Sequence, residues 1–352
     1  MGVKLNTLLD ETKKIITYEN LLGKKLAIDA FNTIYQFLSS IHGVDGSLLQ
    51  DRQGNVTSHL SGLIARNVNL LEKDIKLIYV FDGKPNSLKA EEIERRKELR
   101  TIATKKFENA QDEGNQAEMQ KYAKGTARIT PEMVTESKEL LGYMGIPVIQ
   151  AIEDGEAQAS YLIQKDMAWA CGSQDYDAFL FGANRIVRNL SASQTHTAHG
   201  KTEQVSIEWF ALQRSLEFLG ISREQLVDMA ILIGVDFFAG IKGIGEKSAY
   251  KYIKDYGNIE TFLREKGDKH DTKALTPVFL ETVRSIFLKP KTTDDFAIRF
   301  MPPQYEKISE MLVERHNFSP DRVNAMIKRL RNKFNIKTQS TLEKFGISKR
   351  DI

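Results

Sequence analysis

Short apolar runs alternate with longer amphipathic stretches along the first two thirds of the chain. Such runs, bounded by polar residues, are typical of buried strands. The runs lie at residues 24–30, 76–81, 146–149, 168–173 and 185–188. Strands that alternate with helices predict an α/β fold with a central, mostly parallel sheet wrapped by helices.

The stretches between these runs predict helices of two kinds. Thr130 caps and Pro131 starts an ordinary helix that reaches Leu141. Residues 91–124 are instead strongly charged, with apolar residues too sparse to bury a face, and residues 111–115 interrupt them. We expect two helices that stand away from the core as an arch.

Four aspartates follow or end the predicted strands: Asp29, Asp82, Asp175 and Asp177. Working sites of open α/β sheets lie beyond the carboxyl ends of the strands, so these side chains should meet at one edge. Aspartate also initiates turns and caps helices, which is the simpler explanation for any one of them. Four at one edge favour a shared site.

Composition excludes several classes of protein. The 352 residues carry 50 basic and 47 acidic side chains, so the net charge of +3 excludes a polycation, and 41% hydrophobic residues exclude wholesale disorder. Cys171 is the only cysteine, which excludes an internal disulfide and a zinc ribbon and favours a reduced compartment. We expect no membrane span, signal peptide or myristoylation, since Asn6 stands where the last motif needs Ser or Thr.

Acidic side chains are the strongest chemical signal. Asp154, Glu156 and Asp236 join the four strand-end aspartates, and seven carboxylates in one cleft would repel each other unless cations lie among them. Hard oxygen ligands favour Mg²⁺ or Mn²⁺. Two such ions can clamp an in-line displacement at phosphorus, which points to phosphodiester hydrolysis.

The glycine-rich segment 240–249 suits a helix-hairpin-helix. Gly243 and Gly245 allow a tight turn that presents N–H groups to duplex phosphates, and Lys247 follows them. A Walker loop is excluded because Glu246 separates Gly245 from Lys247, and a dinucleotide fingerprint lacks its third glycine. A structural turn between two packed helices remains the alternative.

Three further side chains are candidates for contact with nucleic acid. Lys89 and Arg96 are seven residues apart, on one helix face that could reach over a metal site to a phosphate. A solvated charged face is the alternative. Tyr35, six residues after Asp29, could stack on a base or belong to the core.

Together these segments resemble the flap endonuclease family of the XPG/Rad2-like 5′ nucleases, over nearly the whole chain. The motifs are AIDA at 27–30, IYQF at 34–37, TSHLSG at 57–62, VFDGKP at 80–85, GEA at 155–157, SQDYD at 173–177, LFG at 180–182, ILIG at 231–234 and GIG at 243–245. So many ordered motifs make chance similarity improbable.

The resemblance implies a PIN-like nuclease fold and a division of the chain. Its parts are an N-terminal nuclease region (1–100), a helical gateway and cap (84–130), an internal nuclease region (120–260) with its helix-hairpin-helix at 222–256, a C-terminal helical part (257–335) and a tail (336–352).

The resemblance also implies roles for residues. The seven acids would hold two Mg²⁺ ions, with Mn²⁺ as a substitute, and Lys89 and Arg96 would act at the scissile phosphate. Tyr35, Gly2, Gly243, Gly245 and Lys247 would contact DNA, and the hairpin would hold a K⁺ ion. The substrate would be branched DNA with a 5′ flap, cut at the flap base by a monomer during replication and repair. The compartment would be the archaeal cytoplasm or the eukaryotic nucleus.

Two positions depart from the family pattern. Asp154 stands where the family usually has Glu, so that ligand could act through water or be replaced by Glu153. Gln339, Leu342 and Phe345 resemble a sliding-clamp binding box, but Gly346 replaces its second aromatic residue. Losing a buried aromatic anchor should weaken clamp binding by about 2 kcal/mol.

Two other functions remain open. One is a related 5′ exonuclease or junction resolvase of the same superfamily. The other is a non-catalytic protein that binds DNA junctions. The full set of acids argues against a pure binder, because a negative cluster weakens attraction to DNA.

Overall fold

A mixed seven-stranded sheet organises the described part of the chain. The computed structural model describes residues 3–43, 46–190, 195–198 and 201–344. The strands of the sheet, in chain order, are β1 (Lys14–Ile16), β2 (Lys25–Asp29), β3 (Lys76–Phe81), β4 (Val148–Gln150), β5 (Ala170–Gly172), β6 (Arg185–Arg188) and β9 (Ile207–Ala211). Strands β7 (Thr195–Ala198) and β8 (Lys201–Gln204) form a separate hairpin.

The strand order across the sheet is β1-β9-β6-β5-β2-β3-β4. Strands β6, β5, β2, β3 and β4 are mutually parallel, as predicted, and all five correspond to the apolar runs. The antiparallel edge of β9 and β1 was not predicted, because these strands are half-exposed and carry no continuous apolar run.

Helices cover both faces of the sheet. In chain order they are α1 (Asn6–Leu9), α2 (Ala30–Ser40), α3 (Ser58–Glu72), α4 (Ala90–Asp112), α5 (Gln116–Thr126), α6 (Pro131–Tyr143), α7 (Gly155–Gln164), α8 (Asp177–Leu180), α9 (Leu212–Leu219), α10 (Arg223–Ile233), α11 (Glu246–Tyr256), α12 (Ile259–Lys266), α13 (Pro277–Leu288), α14 (Tyr305–Ser309) and α15 (Pro320–Lys344). A π-helical turn, Glu310–Arg315, follows α14. None of the described helices is long and apolar enough to cross a lipid bilayer.

Alternation of side chains along the strands divides the core into two layers. Leu26 and Ile28 of β2 pack with helices α2, α3, α6 and α15, whereas Ala27 between them faces α7, α10 and α13. Both faces of the sheet are therefore buried, which explains why the sequences of the central strands are unbroken apolar runs.

The charged segment forms the predicted helical arch. Helix α4 is 23 residues long, and α5 returns alongside it after Asn115, whose side chain accepts a hydrogen bond from the Glu118 N–H. Ile93, Leu99 and Ile102 of α4 are each at least 42% exposed. The arch touches the core mainly through contacts of α5 with α2.

The loops that follow β3 and β4 are held together at the carboxyl edge of the sheet. Gly83 donates its N–H to the Glu153 carbonyl at 2.7 Å, and Lys84 donates to the Ile152 carbonyl at 3.1 Å. A Cβ on Gly83 would lie 2.1 Å from the Ile152 oxygen, so only glycine allows this approach. The contact fixes Asp82, directly before Gly83, relative to the Asp154 loop.

Replacing Gly83 with alanine should separate these two loops. We expect Gly83→Ala to lower the free energy of unfolding by about 1–3 kcal/mol, because the methyl group must displace backbone. Denaturant unfolding measures this loss. The control is Gly142→Ala in α6, where a Cβ meets open space; equal stability of the two variants would contradict the close contact.

Candidate active site

The structure brings the seven predicted carboxylates to one cleft at the carboxyl edge of the parallel strands. Asp29 ends β2 and Asp82 follows β3; Asp154 and Glu156 stand at the start of α7, Asp175 and Asp177 at the start of α8, and Asp236 after α10. All seven side chains are buried or half-buried. Each reaches the cleft because a strand or helix ends or begins there.

Asn32 joins two of these acids. Its backbone N–H donates to Asp29 Oδ1 at 3.1 Å, and its side-chain Nδ2 donates to Asp175 Oδ2 at 2.9 Å. Asp29 thereby caps α2, and Asn32, in the first turn of that helix, reaches across to the loop after β5. One residue thus fixes carboxylates that are far apart in sequence.

Ser173 plays a similar part for Glu156 and Asp175. Its hydroxyl donates to Glu156 Oε1 at 2.7 Å and accepts the Asp175 N–H at 3.2 Å. Asp82 is held by the start of α7, since Oδ1 accepts the Gly155 N–H at 2.6 Å. Asp177 Oδ1 accepts the Val3 N–H at 2.7 Å.

Burial and mutual repulsion raise the pKa values of the innermost acids. Burial and the neighbouring Asp82 raise the pKa of Asp29 to about 8, and burial with Asp175 nearby raises that of Asp177 to about 7. Burial raises the pKa of Asp82 to about 6 and holds that of Glu156 well above its usual value, where Asp177 adds to the effect. The cleft therefore brings together more carboxylates than its own donors and positive side chains can keep in the charged form.

Lys89 and Arg96 reach into the cleft from the base of the arch. The Lys89 ammonium is hydrogen-bonded to Asp154 Oδ1 and lies 3.9 Å from Asp236 Oδ2. Arg96 Nη2 donates to Asp236 Oδ1 at 2.5 Å. Burial opposes the charge on Lys89, but the attraction of Asp154 and Asp236 outweighs it, so its pKa is raised.

The donor chemistry of the cleft suits hard divalent cations. Every candidate ligand is a carboxylate, and carboxylate oxygens are ligands that Mg²⁺ and Mn²⁺ prefer. As arranged here, no three Asp, Glu, His or Cys side chains among the described residues already surround one point as metal ligands. Ions that bind Asp154 and Asp236 would compete with Lys89 and Arg96, which contact Oδ1 of Asp154 and both oxygens of Asp236.

Glu153, the possible substitute for the shorter Asp154, has partners of its own. Its carboxylate pairs with Lys291 Nζ at 2.6 Å and accepts from Asn86 Nδ2 at 3.3 Å. The pair with Lys291 lowers the pKa of Glu153. These contacts leave Asp154 as the acid of this loop that meets Lys89.

The remaining predicted residues lie around the cleft or outside the described chain. Tyr35 is 45% exposed on α2, which argues against a core role. Gly243 and Gly245 are exposed at the turn before α11, and Lys247 is exposed in the first turn of that helix. Gly2 and Phe345 lie outside the described residues, as do the side chains of Gln339 and Leu342, whose backbone is helical in α15.

Sequence reasoning missed Asn32, Ser173 and Val3. Asn32 could have been found, because the third residue after a helix-capping aspartate points back toward the strand end. Ser173 likewise precedes two of the acids within one motif. Val3 acts only through its backbone N–H, which no side-chain pattern reveals.

The sequence and the fold are both similar to those of known proteins. The sequence matches the XPG N-terminal domain over residues 1–103 and the XPG I-region over residues 145–236. Flap endonuclease 1 of Ignicoccus hospitalis is 46% identical over 338 residues, 95% of each chain. Flap endonuclease 1 of Sulfurisphaera tokodaii is 46% identical over 93% of this chain and 94% of its own.

The chain belongs to the flap endonuclease family. Its structure is similar to that of flap endonuclease-1 from Methanococcus jannaschii, with a TM-score of 0.74 and 39% identity over 96% of this chain and all of that one. The catalytic core of Rad2 in complex with DNA substrate matches with a TM-score of 0.69 at 23% identity, over 94% of this chain and all of that one, which shows the shared fold. The expected 5′ nuclease fold is therefore confirmed.

Asn32 should affect the rate of DNA cleavage although it is not one of the candidate metal ligands. We expect Asn32→Ala to lower the single-turnover rate of DNA cleavage by about tenfold or more, because Asp175 loses the donor that orients it. Affinity for DNA should stay unchanged. Gln36→Ala, one turn later on α2, is the control; wild-type cleavage by Asn32→Ala would contradict this assignment.

Proposed function

We propose that the protein is a divalent-cation-dependent 5′ flap endonuclease that hydrolyses the phosphodiester at the base of the flap. The convergence of Asp29, Asp82, Asp154, Glu156, Asp175, Asp177 and Asp236 in one cleft carries this proposal. Two Mg²⁺ ions, or Mn²⁺ in their place, would be held by these carboxylates. When bound, such ions activate water and stabilise the leaving oxygen.

The protein's own side chains would supply the rest of the chemistry. Lys89 and Arg96 pair with Asp154 and Asp236, and they could leave these acids to place positive charge on the scissile phosphate. Asn32, Ser173 and the Gly155 N–H would hold four of the acids in orientation during the reaction. The exposed ring of Tyr35 offers a surface on which an unpaired base can stack.

The turn before α11 supports binding of a DNA duplex. Gly243 has a φ of +87°, which requires glycine, but Gly245 has an ordinary backbone conformation and a Cβ there would meet open space. No atom of the described residues lies where a Cβ at position 245 would stand. A phosphate backbone that approaches the N–H groups at the start of α11 would demand glycine at this position.

Several finer features rest on the family resemblance. They are a K⁺ ion at the hairpin, 5′-3′ exonuclease activity, a monomeric state, location with chromosomal DNA, and passage of the single-stranded 5′ end beneath the arch. Clamp binding through Gln339, Leu342 and Phe345 also stays a prediction, weakened by Gly346. The competing functions are the junction resolvase and the non-catalytic binder.

Cleavage of defined substrates tests the proposal against these competitors. Double-flap DNA labelled at the 5′ flap should be cut once at the flap base with Mg²⁺ and left intact without it. A 3′ flap should be resistant. Preferred cleavage of four-way junctions would support a resolvase, and binding without cleavage at any Mg²⁺ or Mn²⁺ concentration would support a binder.

Replacing one carboxylate with an amide of nearly the same shape separates an effect on catalysis from an effect on DNA binding. We expect Asp82→Asn and Asp175→Asn each to lower the cleavage rate by at least about a hundredfold, because the cleft loses a cation ligand. DNA affinity should be retained or improved, since a negative charge is removed. Asp268→Asn on the exposed surface is the control. Unchanged cleavage in both variants would refute the site.

Gly245 separates DNA contact from folding. We expect Gly245→Ala to lower the free energy of unfolding by no more than about 1 kcal/mol, since the methyl group meets no atom of the described residues and the only loss is the preference for glycine over alanine at the N-cap of α11. Affinity for duplex DNA should fall, because the methyl group obstructs the phosphate. Fluorescence anisotropy with a nicked duplex measures it, and wild-type affinity would contradict a duplex contact at this turn.

A further inference from the structure

The first described residues connect the acid cluster to the hairpin. We call residues 3–9 the N-terminal segment. Its Val3 N–H donates to Asp177 Oδ1 at 2.7 Å. The N–H groups of Thr7 and Leu8 donate to Glu246 Oε2 at 2.8 and 3.3 Å. One end of the segment therefore contacts a candidate ligand, and the other contacts the first residue of α11.

The N-terminal segment is packed firmly between these two contacts. Leu5 and Leu9 are fully buried, and Val3 is 4% exposed. Asn6 is connected to the same region through Arg188. The Nη1 group of Arg188 donates to Asn6 Oδ1 at 3.3 Å and also to the hydroxyl of Tyr176, the residue before Asp177. A displacement of Thr7 and Leu8 would therefore be transmitted to Val3 and Asp177.

Glu246 stands where an acid would disfavour the approach of DNA. It directly follows Gly245, at the turn where duplex phosphates would approach, and a free carboxylate there would repel them. The side chain is instead engaged by two N–H groups of another part of the chain. This contact ties the start of α11 to the N-terminal segment.

We propose that Glu246 is a positioning residue that couples duplex binding at the hairpin to the orientation of Asp177 through the N-terminal segment. The proposal rests on the proposed function, because it assigns the hairpin to the duplex and Asp177 to the reaction. Movement of α11 on binding DNA would shift Thr7 and Leu8, and through the buried segment it would set the Val3–Asp177 hydrogen bond.

Hydrogen exchange in the DNA-free protein tests the connection without any reference to activity. Glu246→Ala should speed exchange of the amides of Thr7, Leu8 and Val3. Glu246→Gln retains an acceptor oxygen and should exchange like wild type, and Asp255→Ala, an exposed acid on the same helix, is the control. Faster exchange at Thr7 and Leu8 with no change at Val3 would overturn the coupling.

Single-turnover cleavage of a 5′ flap substrate then tests its consequence. Glu246→Ala should lower the cleavage rate by about tenfold or more, as loss of an orienting contact does, while the Kd for DNA stays equal or falls. Glu246→Gln should restore the rate, and Asp255→Ala should not change it. The proposal would be overturned if Glu246→Ala only weakened DNA binding and left the cleavage rate unchanged. It would also be overturned if Glu246→Gln did not restore the rate.

The two measurements also separate this proposal from the proposed function. If the wild-type protein fails to cleave any flap substrate, the proposed function is wrong, whereas the exchange experiment still reports whether Glu246 and Val3 are connected. If the wild type cleaves and the exchange at Val3 is unaffected in Glu246→Ala, only the coupling is wrong.

Discussion

Mutual repulsion among buried carboxylates is the constraint on which the structure of this cleft depends. Seven acids gather where parallel strands end, and burial raises the pKa values of Asp29 and Asp177 to about 8 and about 7. Such an arrangement costs free energy unless positive charge or hydrogen-bond donors offset it. Lys89, Arg96, Asn32, Ser173 and two backbone N–H groups supply part of that compensation.

The fold places those donors with little freedom. Asp82 and Asp154 are kept close because Gly83 allows the loops after β3 and β4 to share hydrogen bonds. The positive side chains come from the arch, which packs sparsely on the core, so they can exchange one anionic partner for another more easily than a core residue could. A phosphate that enters the cleft would be one such partner.

Much of this architecture was predictable from the sequence. The apolar runs located all five parallel strands, and the rule that sites lie at strand carboxyl ends located Asp29, Asp82, Asp175 and Asp177 together. Thr130 caps the helix that it was expected to begin, because its hydroxyl accepts a hydrogen bond from the Met133 N–H.

What could not be predicted depends on tertiary contacts. Strands β1 and β9 pair at an edge where short, half-exposed segments leave no periodic signal. The Val3 and Gly155 hydrogen bonds use backbone groups, which every residue has, so residue type gives no indication of them. The engagement of Glu153 with Lys291 joins positions 138 residues apart, and no local pattern connects the two.

The central claim is that these acids hold cations beside bound DNA. Anomalous diffraction from crystals of the protein grown with flap DNA and Mn²⁺ tests it most directly. We expect two anomalous peaks in the cleft, each in contact with oxygens of the seven carboxylates and near the scissile phosphate. Crystals with ordered DNA and fully ordered acids but no peak among them would contradict it.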